Sequence, residues 1–210
     1  MVLLFCGGLV PDNRIRIEFM LDAGCFHGWG GGPVCSSLSS AVRPPCRSKQ
    51  KPYGLPGLSK EMKKKVRAGN SFARWCAHLI KRYHTRLWFW VENPQLSWFW
   101  RLPCIQCILC RRHVGAFLQL DYCRFGTPWR KRTRFFTNLR SLMNVQCFCL
   151  GGHDHLLLQG ASPSGAPWTK VAEPYPQGVA KVLALSVACH CGWEHGPVDI
   201  AGVSQAASLG

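Results

Sequence analysis

The sequence predicts an α/β fold, and three observations support it: one long helical pattern, several short apolar runs of strand length, and their alternation along the chain. The helical pattern runs from about Ser59 to Tyr83, where apolar residues recur mostly at steps of three and four. Ser59 is placed to cap its first turn, while Gly69 and Asn70 weaken its middle. A second helix is predicted from Tyr175 to Ala188.

The clearest strand is Leu87 to Val91 (LWFWV), which Glu92, Asn93 and Pro94 bring to an end. Shorter apolar runs predict three further strands, at Phe117 to Tyr122, Phe135 to Leu139 and Leu156 to Leu158. Loops at the strand ends are then expected to carry the functional residues, as in open α/β sheets.

The N-terminal part is less regular. Residues Arg14 to Phe26 have the pattern of a strand or a short helix, and they lead into a glycine cluster, GWGGG, at 28–32. A loop rich in serine, proline and basic residues follows to about residue 57. Length and composition allow one domain of moderate size and exclude a disordered polar tail, since 47% of the 210 residues are hydrophobic and 17% are charged.

The charge is concentrated in the middle of the chain. Between Arg43 and Arg140 there are 22 basic and 3 acidic residues, whereas the whole chain has a formal net charge of +16. A basic segment interleaved with aromatic residues favours a nucleic-acid partner, DNA or RNA, over an acidic small molecule. The alternative is a solvated surface.

Targeting signals are not evident. The first ten residues are apolar but have no basic region before them, and no run reaches the roughly 18 apolar residues of a membrane-spanning helix. We therefore expect no membrane partner and an intracellular protein, nuclear if it is functional.

The 13 cysteines include three groups with metal-binding potential. The groups are Cys104, Cys107, Cys110 and His113; Cys147, Cys149, His153 and His155; and Cys189, His190, Cys191 and His195. None has the paired C-x2-C pattern of a structural zinc site, and buried thiols also pack as small hydrophobic groups. An odd count without an export signal indicates reduced thiols. The sequence therefore predicts no metal site.

Several short motifs follow one another along the chain, and their order and spacing are informative. They are GGPVCSSLS at 31–39, GLPGL at 54–58, Asn70, ENPQLSWFW at 92–100, DYCRFGTPWRKRT at 121–133, GGHDH at 151–155 and EPYP at 173–176. In order and spacing they resemble the cytosine-C5 DNA methyltransferases, and more closely the divergent methyltransferase-like domains of eukaryotic retroelements. The resemblance covers about residues 25–185.

The resemblance implies roles for four residues. Cys35 matches the nucleophile whose thiolate adds to cytosine C6. Glu92 matches the carboxyl group that meets N3 and the exocyclic amine. Arg132 and Arg134 match the arginines that hold the base and the backbone, if one extra residue after Pro128 is allowed.

The same resemblance implies S-adenosylmethionine as the cofactor and a flipped target base. The basic segment would bind the DNA phosphates. The residues expected there are Arg43, Arg47, Lys63, Lys64, Lys65, Arg130 and Lys131.

The chain also departs from the family pattern. Val34 replaces the proline before the nucleophile, and Trp129 replaces a glutamine. The cofactor-binding F-x-G-x-G motif has only a poor match at Phe5–Gly8. We therefore expect a partial methyltransferase (Rossmann-like) sheet that lacks its N-terminal cofactor-binding units, in a chain truncated at its N-terminus.

This interpretation divides the chain into a poorly matched segment 1–24, a methyltransferase-like domain 25–188, and a flexible Cys/His-containing tail 189–210. It predicts an inactive methyltransferase-like fragment. The alternatives are a basic nucleic-acid-binding module without catalysis and a relic of a mobile element without function.

Overall fold

The structure, a computed structural model, describes residues 2–6, 11–32 and 37–193, with side chains from residue 13 onward. It is an α/β structure with one mixed sheet of five strands in the order β1-β2-β3-β5-β4. The strands are β1 (Val2–Cys6), β2 (Gly28–Gly32), β3 (Trp88–Pro94), β4 (Ala116–Asp121) and β5 (Arg132–Thr137). The sequence prediction of an α/β fold is confirmed at this level.

Among the described residues, six α-helices connect or follow the strands. They are α1 (Pro11–Asp22), α2 (Lys60–Tyr83), α3 (Pro103–Leu109), α4 (Arg140–Met143), α5 (Trp168–Val171) and α6 (Gln177–His190). Two short 3-10 helices, Trp98–Arg101 and Tyr122–Phe125, follow β3 and β4. In the described ranges no helix combines the length and apolar character that crossing a membrane requires.

The N-terminal segment belongs to the sheet. β1 and β2 are parallel, with Val2 opposite Gly28 and Cys6 opposite Gly32, and α1 connects them. The sequence left a strand and a helix open for residues 14–26, and the structure resolves the choice as a helix up to Asp22. One strand–helix–strand unit therefore precedes the segment that contains Cys35.

The glycine cluster is a strand. GWGGG forms β2, parallel to β1 on one side and to β3 on the other. A Cβ atom on Gly28 would lie 2.0 Å from the Trp88 ring, and one on Gly30 would lie 2.3 Å from the Trp90 ring. On this face of β2 the two indole rings occupy the space that side chains would need, and they stack with centroids 5.5 Å apart.

β3 corresponds to the strand that the sequence predicts at Leu87 to Val91, and it is an interior strand of the sheet. It runs parallel to β2, is buried from Trp88 to Asn93, and lies between β2 and β5. The strand extends through Glu92, Asn93 and Pro94 instead of stopping before them.

The other sequence predictions have mixed outcomes. α2 and α6 form as expected, and Ser59 caps α2 by accepting a hydrogen bond from the Met62 N–H at 3.2 Å. Residues 156–158 form no strand, and this prediction is wrong. The Leu156 N–H instead donates to the Pro128 carbonyl at 2.7 Å, so the segment is a loop bound to another loop.

The chain forms two compact units. The first comprises residues 1–117 and 135–138, and the second comprises 118–134 and 139–210. The core of the first unit is built around α2 and β3, with Trp29 and Phe89 stacked inside it. In the second unit, α6 buries Val179, Val182 and Leu183.

Candidate functional site

The carboxyl ends of β2 and β3 form the edge at which the sequence places its first two functional loops. Gly31 lies opposite Val91 in the parallel register, so Gly32 and Glu92 follow side by side. Glu92 is 8% exposed and Asn93 is fully buried, and the Asn93 side-chain amide donates to the Glu92 carbonyl at 3.1 Å. In parallel sheets this edge is where ligands bind.

Cys35 lies outside the described residues, but the chain after it is firmly held. The Leu38 carbonyl accepts hydrogen bonds from the Trp98 N–H at 2.7 Å and from the Ser97 hydroxyl at 3.1 Å. Ser97 and Trp98 belong to the ENPQLSW segment that continues from β3. The segment that begins at Ser37 is therefore held against the chain that continues from β3.

A buried arginine reinforces this arrangement. Arg47 is 2% exposed and donates to the Ser37 carbonyl, the Asn70 side-chain oxygen (each at 2.7 Å) and the Pro52 carbonyl at 2.6 Å. Asn70 in turn donates to the Tyr53 carbonyl at 2.7 Å. This network explains the polar Asn70 in the middle of α2.

The placement of Arg47 corrects one sequence expectation. A guanidinium that is enclosed by protein acceptors cannot reach a phosphate from the surface, so Arg47 is a structural residue. The guanidinium also donates to the Ser37 hydroxyl at 3.2 Å and to the Val66 carbonyl at 3.4 Å. Its charge strengthens these hydrogen bonds and offsets the cost of burying the group.

The other basic residues of the first unit that the sequence predicts to contact phosphates are exposed. Lys63, Lys64 and Arg43 are on the surface, and the Arg43 guanidinium donates to the Ser40 and Val42 carbonyls at 3.0 Å each. Lys65 forms an ion pair with Glu61 at 2.6 Å. The Ser37 hydroxyl donates to the Lys65 backbone carbonyl at 2.9 Å, which connects the start of α2 to the segment that follows Cys35.

Arg132 and Arg130 converge on a buried carboxylate in the second unit. Arg132 donates to both Asp121 oxygens, at 2.8 and 2.7 Å, and Arg130 donates to one of them at 3.2 Å. Burial alone would raise the pKa of Asp121, but the hydrogen bonds from Arg132 and from the Cys149 N–H, with the nearby arginine charges, hold it below its ordinary value. Asp121 thereby ties three segments of the chain together.

The remaining basic residues of this unit that the sequence predicts to bind DNA also have protein contacts. Lys131 donates to the Ala172 carbonyl at 2.9 Å and lies over the Tyr122 ring. Arg134 is half-buried, and burial lowers its pKa. Glu92 belongs to the first unit, and Arg132 and Arg134 belong to the second. The roles that the resemblance implies require Cys35, Glu92 and the two arginines to share one cleft, and this stays a prediction.

Four side chains of the second unit form a cluster that the sequence groups did not contain. Cys123, Cys149, His153 and His155 present one sulfur or nitrogen atom each, and these four atoms all lie within 4.8 Å of one another. The sequence grouped Cys147 with the last three, but the structure brings in Cys123 from the 3-10 helix after β4. Burial and the neighbouring Cys149 thiol raise the pKa of Cys123 to about 11.

The other two cysteine groups do not assemble within the described residues. Cys104 is half-buried, whereas Cys107 and Cys110 are exposed. Cys189 and Cys191 are half-buried, and His195, the fourth member of that group, lies outside the part that the structure describes.

The cofactor that the resemblance implies finds no assembled site in the part of the chain that is described. Gly7 and Gly8, the glycines of the poor match to the cofactor-binding motif, are outside the described residues.

Comparison of the chain with protein-family models and with the curated proteins finds no match to either.

Proposed function

We propose that this chain is a DNA-binding module related to the cytosine-C5 DNA methyltransferases, and that it does not transfer methyl groups by itself. The relationship rests on the ordered motifs of the sequence. It is supported by the edge at which β2 and β3 end side by side, because position 35 comes three residues after the end of β2 and Glu92 lies near the end of β3.

The observation that carries the binding proposal is the basic start of α2. Lys60, Lys63, Lys64 and Arg67 are all exposed within its first eight residues, and Glu61 is the acidic residue among them. Cations at a helix N-terminus oppose the helix dipole and cost a few tenths of a kcal/mol each at an exposed site. A bound phosphate reverses that penalty, because it interacts favourably with both the ammonium groups and the helix end.

The position of this basic cluster agrees with a role near the methyltransferase-like loops. Ser37 donates to the Lys65 carbonyl, and a Cβ on Gly69 would lie 2.8 Å from the Ser37 hydroxyl oxygen. The start of α2 and the segment after Cys35 are thus in direct contact within one unit. A DNA strand held by Lys60, Lys63 and Lys64 would pass beside that segment.

A salt series of DNA-binding isotherms tests the proposal. The protein and a fluorescent duplex are titrated at several salt concentrations, for the native chain and for the triple variant Lys60→Gln, Lys63→Gln, Lys64→Gln. If the three lysines contact phosphates, the slope of log K against log salt becomes shallower by about 2 to 3, and binding weakens by roughly tenfold or more at low salt.

A matched control variant separates the effect of lost phosphate contacts from the effect of a lower net charge. The triple variant Arg140→Gln, Lys170→Gln, Lys181→Gln removes the same charge from exposed positions of the second unit. We expect its salt slope to equal that of the native chain. Equal losses in both triple variants, or binding that does not depend on salt, would contradict the proposal, and a duplex RNA competitor that binds more tightly would assign the surface to RNA.

A further inference from the structure

The Cys/His cluster of the second unit lies where two segments are fastened together by backbone hydrogen bonds. The Asp121 N–H donates to the Cys147 carbonyl at 2.9 Å, and the Cys147 N–H donates to the Gln119 carbonyl at 3.1 Å. This short parallel pairing holds the chain around residue 147 against the end of β4. Cys123 and Cys149 follow, each two residues beyond the pairing on its own segment.

The loop after Cys149 has the backbone that such a cluster requires. Gly151 and Gly152 have φ angles of 81° and 80°, a conformation that other residues rarely adopt. This double glycine turn folds the chain back, so that His153 and His155 face the Cys149 sulfur. The Gly151 N–H points at that sulfur at 3.4 Å, and the Leu156 N–H anchors the end of the loop on Pro128.

The distances suit a small tetrahedral ion. The Cys149 sulfur is 3.4 Å from Nε2 of His155 and 3.8 Å from Nε2 of His153. With zinc–sulfur bonds of about 2.3 Å and zinc–nitrogen bonds of about 2.0 Å, tetrahedral geometry separates neighbouring ligand atoms by roughly 3.3 to 3.8 Å. The two distances from the Cys149 sulfur already lie in this range, and no pair of the four atoms, which all lie within 4.8 Å of one another, needs to close by more than about 1.5 Å.

The ligand types select the metal. Two thiolates and two imidazoles favour zinc over magnesium or calcium, which prefer oxygen. Four protein ligands fill a tetrahedral site and leave no open position, which is typical of structural zinc and not of catalytic zinc. The contact from the buried Asp121 to the Cys149 N–H supplies the outer support that metal ligands usually have.

We propose that Cys123, Cys149, His153 and His155 bind one Zn²⁺ ion in a closed tetrahedral site, which fixes the loop 147–156 to the 3-10 helix Tyr122–Phe125. Binding converts the two thiols to thiolates and releases two protons to solvent, while both histidines bind as neutral imidazoles. This site is independent of DNA binding and revises the sequence prediction that the chain holds no metal.

Zinc analysis of the purified chain tests the proposal. The protein is kept reduced and equilibrated with buffered Zn²⁺, and bound zinc is measured by mass spectrometry of the metal. We expect about one zinc per chain, and Co²⁺ in its place should give the visible absorption of a tetrahedral thiolate site. Cys123→Ser and His155→Ala should each weaken zinc binding by at least about 100-fold.

The chain offers matched controls. Cys147→Ser removes the cysteine that the sequence grouped with the cluster, and Cys107→Ser with Cys110→Ser removes two exposed thiols on and next to α3. All of these variants should retain one zinc. Cys123→His restores a ligand, so it should recover zinc binding even if Cys123→Ser fails to fold.

Thermal unfolding provides a readout that does not depend on any variant. Added Zn²⁺ should raise the Tm of the native chain and a chelator should lower it, because the ion binds only the folded cluster. A native chain without stoichiometric zinc, zinc retained in both ligand variants, or zinc lost in the Cys147→Ser control would each overturn the proposal.

Discussion

Asp22, at the end of α1, illustrates how single residues bind the elements of the first unit together. Its carboxylate accepts hydrogen bonds from Arg82 at 2.9 Å and from the Tyr83 hydroxyl at 3.0 Å, and Arg86 lies 3.5 Å away. The hydrogen bond from Arg82, with that from Tyr83 and the two arginine charges, holds the pKa of Asp22 below its ordinary value, although partial burial opposes this.

A lowered pKa makes the contribution of Asp22 depend on pH in a defined direction. The stabilisation is fully present above the unfolded-state pKa of about 3.9 and disappears as the pH falls through the lower folded-state value. Asp22→Asn should therefore be less stable than the native chain at pH 7, and the difference should shrink below about pH 4. Urea unfolding of both proteins at pH 7 and at pH 2 to 3 measures this.

Glu173→Gln is the control, because it removes an equal charge from an exposed position of the second unit. It should leave stability nearly unchanged at both pH values. If the Asp22→Asn difference stays constant across the range, the carboxylate is not the source of the stabilisation.

The residue types in the sequence did not predict the roles of Arg47 and Cys123, because each role depends on where the side chain lies in the fold. Arg47 lies in the basic segment that predicts phosphate contacts, but its guanidinium is surrounded by backbone and amide oxygens. Cys123 has no metal-binding neighbour in sequence, since its three partners lie on another segment. Neither outcome could be predicted from local spacing, because each depends on long-range packing.

At the scale of elements, α2 offers a clean test of a helix cap. Ser59 satisfies the Met62 N–H, and Ser59→Ala should lower the free energy of unfolding by about 1 kcal/mol. Ser59→Asp keeps the cap and adds a negative charge beside Lys60 and Lys63, so it should be at least as stable as the native chain. Chemical denaturation of the three proteins gives the comparison, and equal losses in both variants would contradict a capping role.

Local sequence patterns predicted the elements in which the apolar residues follow a clear pattern along the chain. α2 shows steps of three and four, and β3 is a continuous apolar run, so both were predictable. β2 was not, because glycine is depleted in strands and the run has a single side chain of any size. Its strand conformation comes from β1 and β3 on either side and from the indole rings that cover it.

At the scale of the whole molecule, the proposed function predicts binding without catalysis. The chain should bind duplex DNA and show no transfer of tritium from labelled S-adenosylmethionine. Cys35→Ser should leave the binding isotherm unchanged, because a thiol at this position acts only in a covalent step. Methyl transfer that is lost in Cys35→Ser would show instead that the chain is an enzyme.

The overall class was predictable, whereas the division of the chain was not. Alternating helix and strand patterns indicate an α/β sheet, and the structure has one. No sequence pattern indicates that β4 and β5 each contribute residues to both compact units. Such a division depends on which segments pack together after folding, and a pattern read along the chain does not contain that information.

The contact between β2 and the indoles of β3 has a consequence for how this protein can change over evolutionary time. The Trp88 ring fills the space that a side chain at position 28 would need, and the Trp90 ring fills the space at position 30. Neither member of a pair can therefore be exchanged freely while the other remains. Descendants of this sequence that gain a side chain at position 28 or 30 should carry a smaller residue at 88 or 90. Among related chains, these positions should therefore covary in pairs, and the strength of that covariation would report whether selection still maintains the sheet.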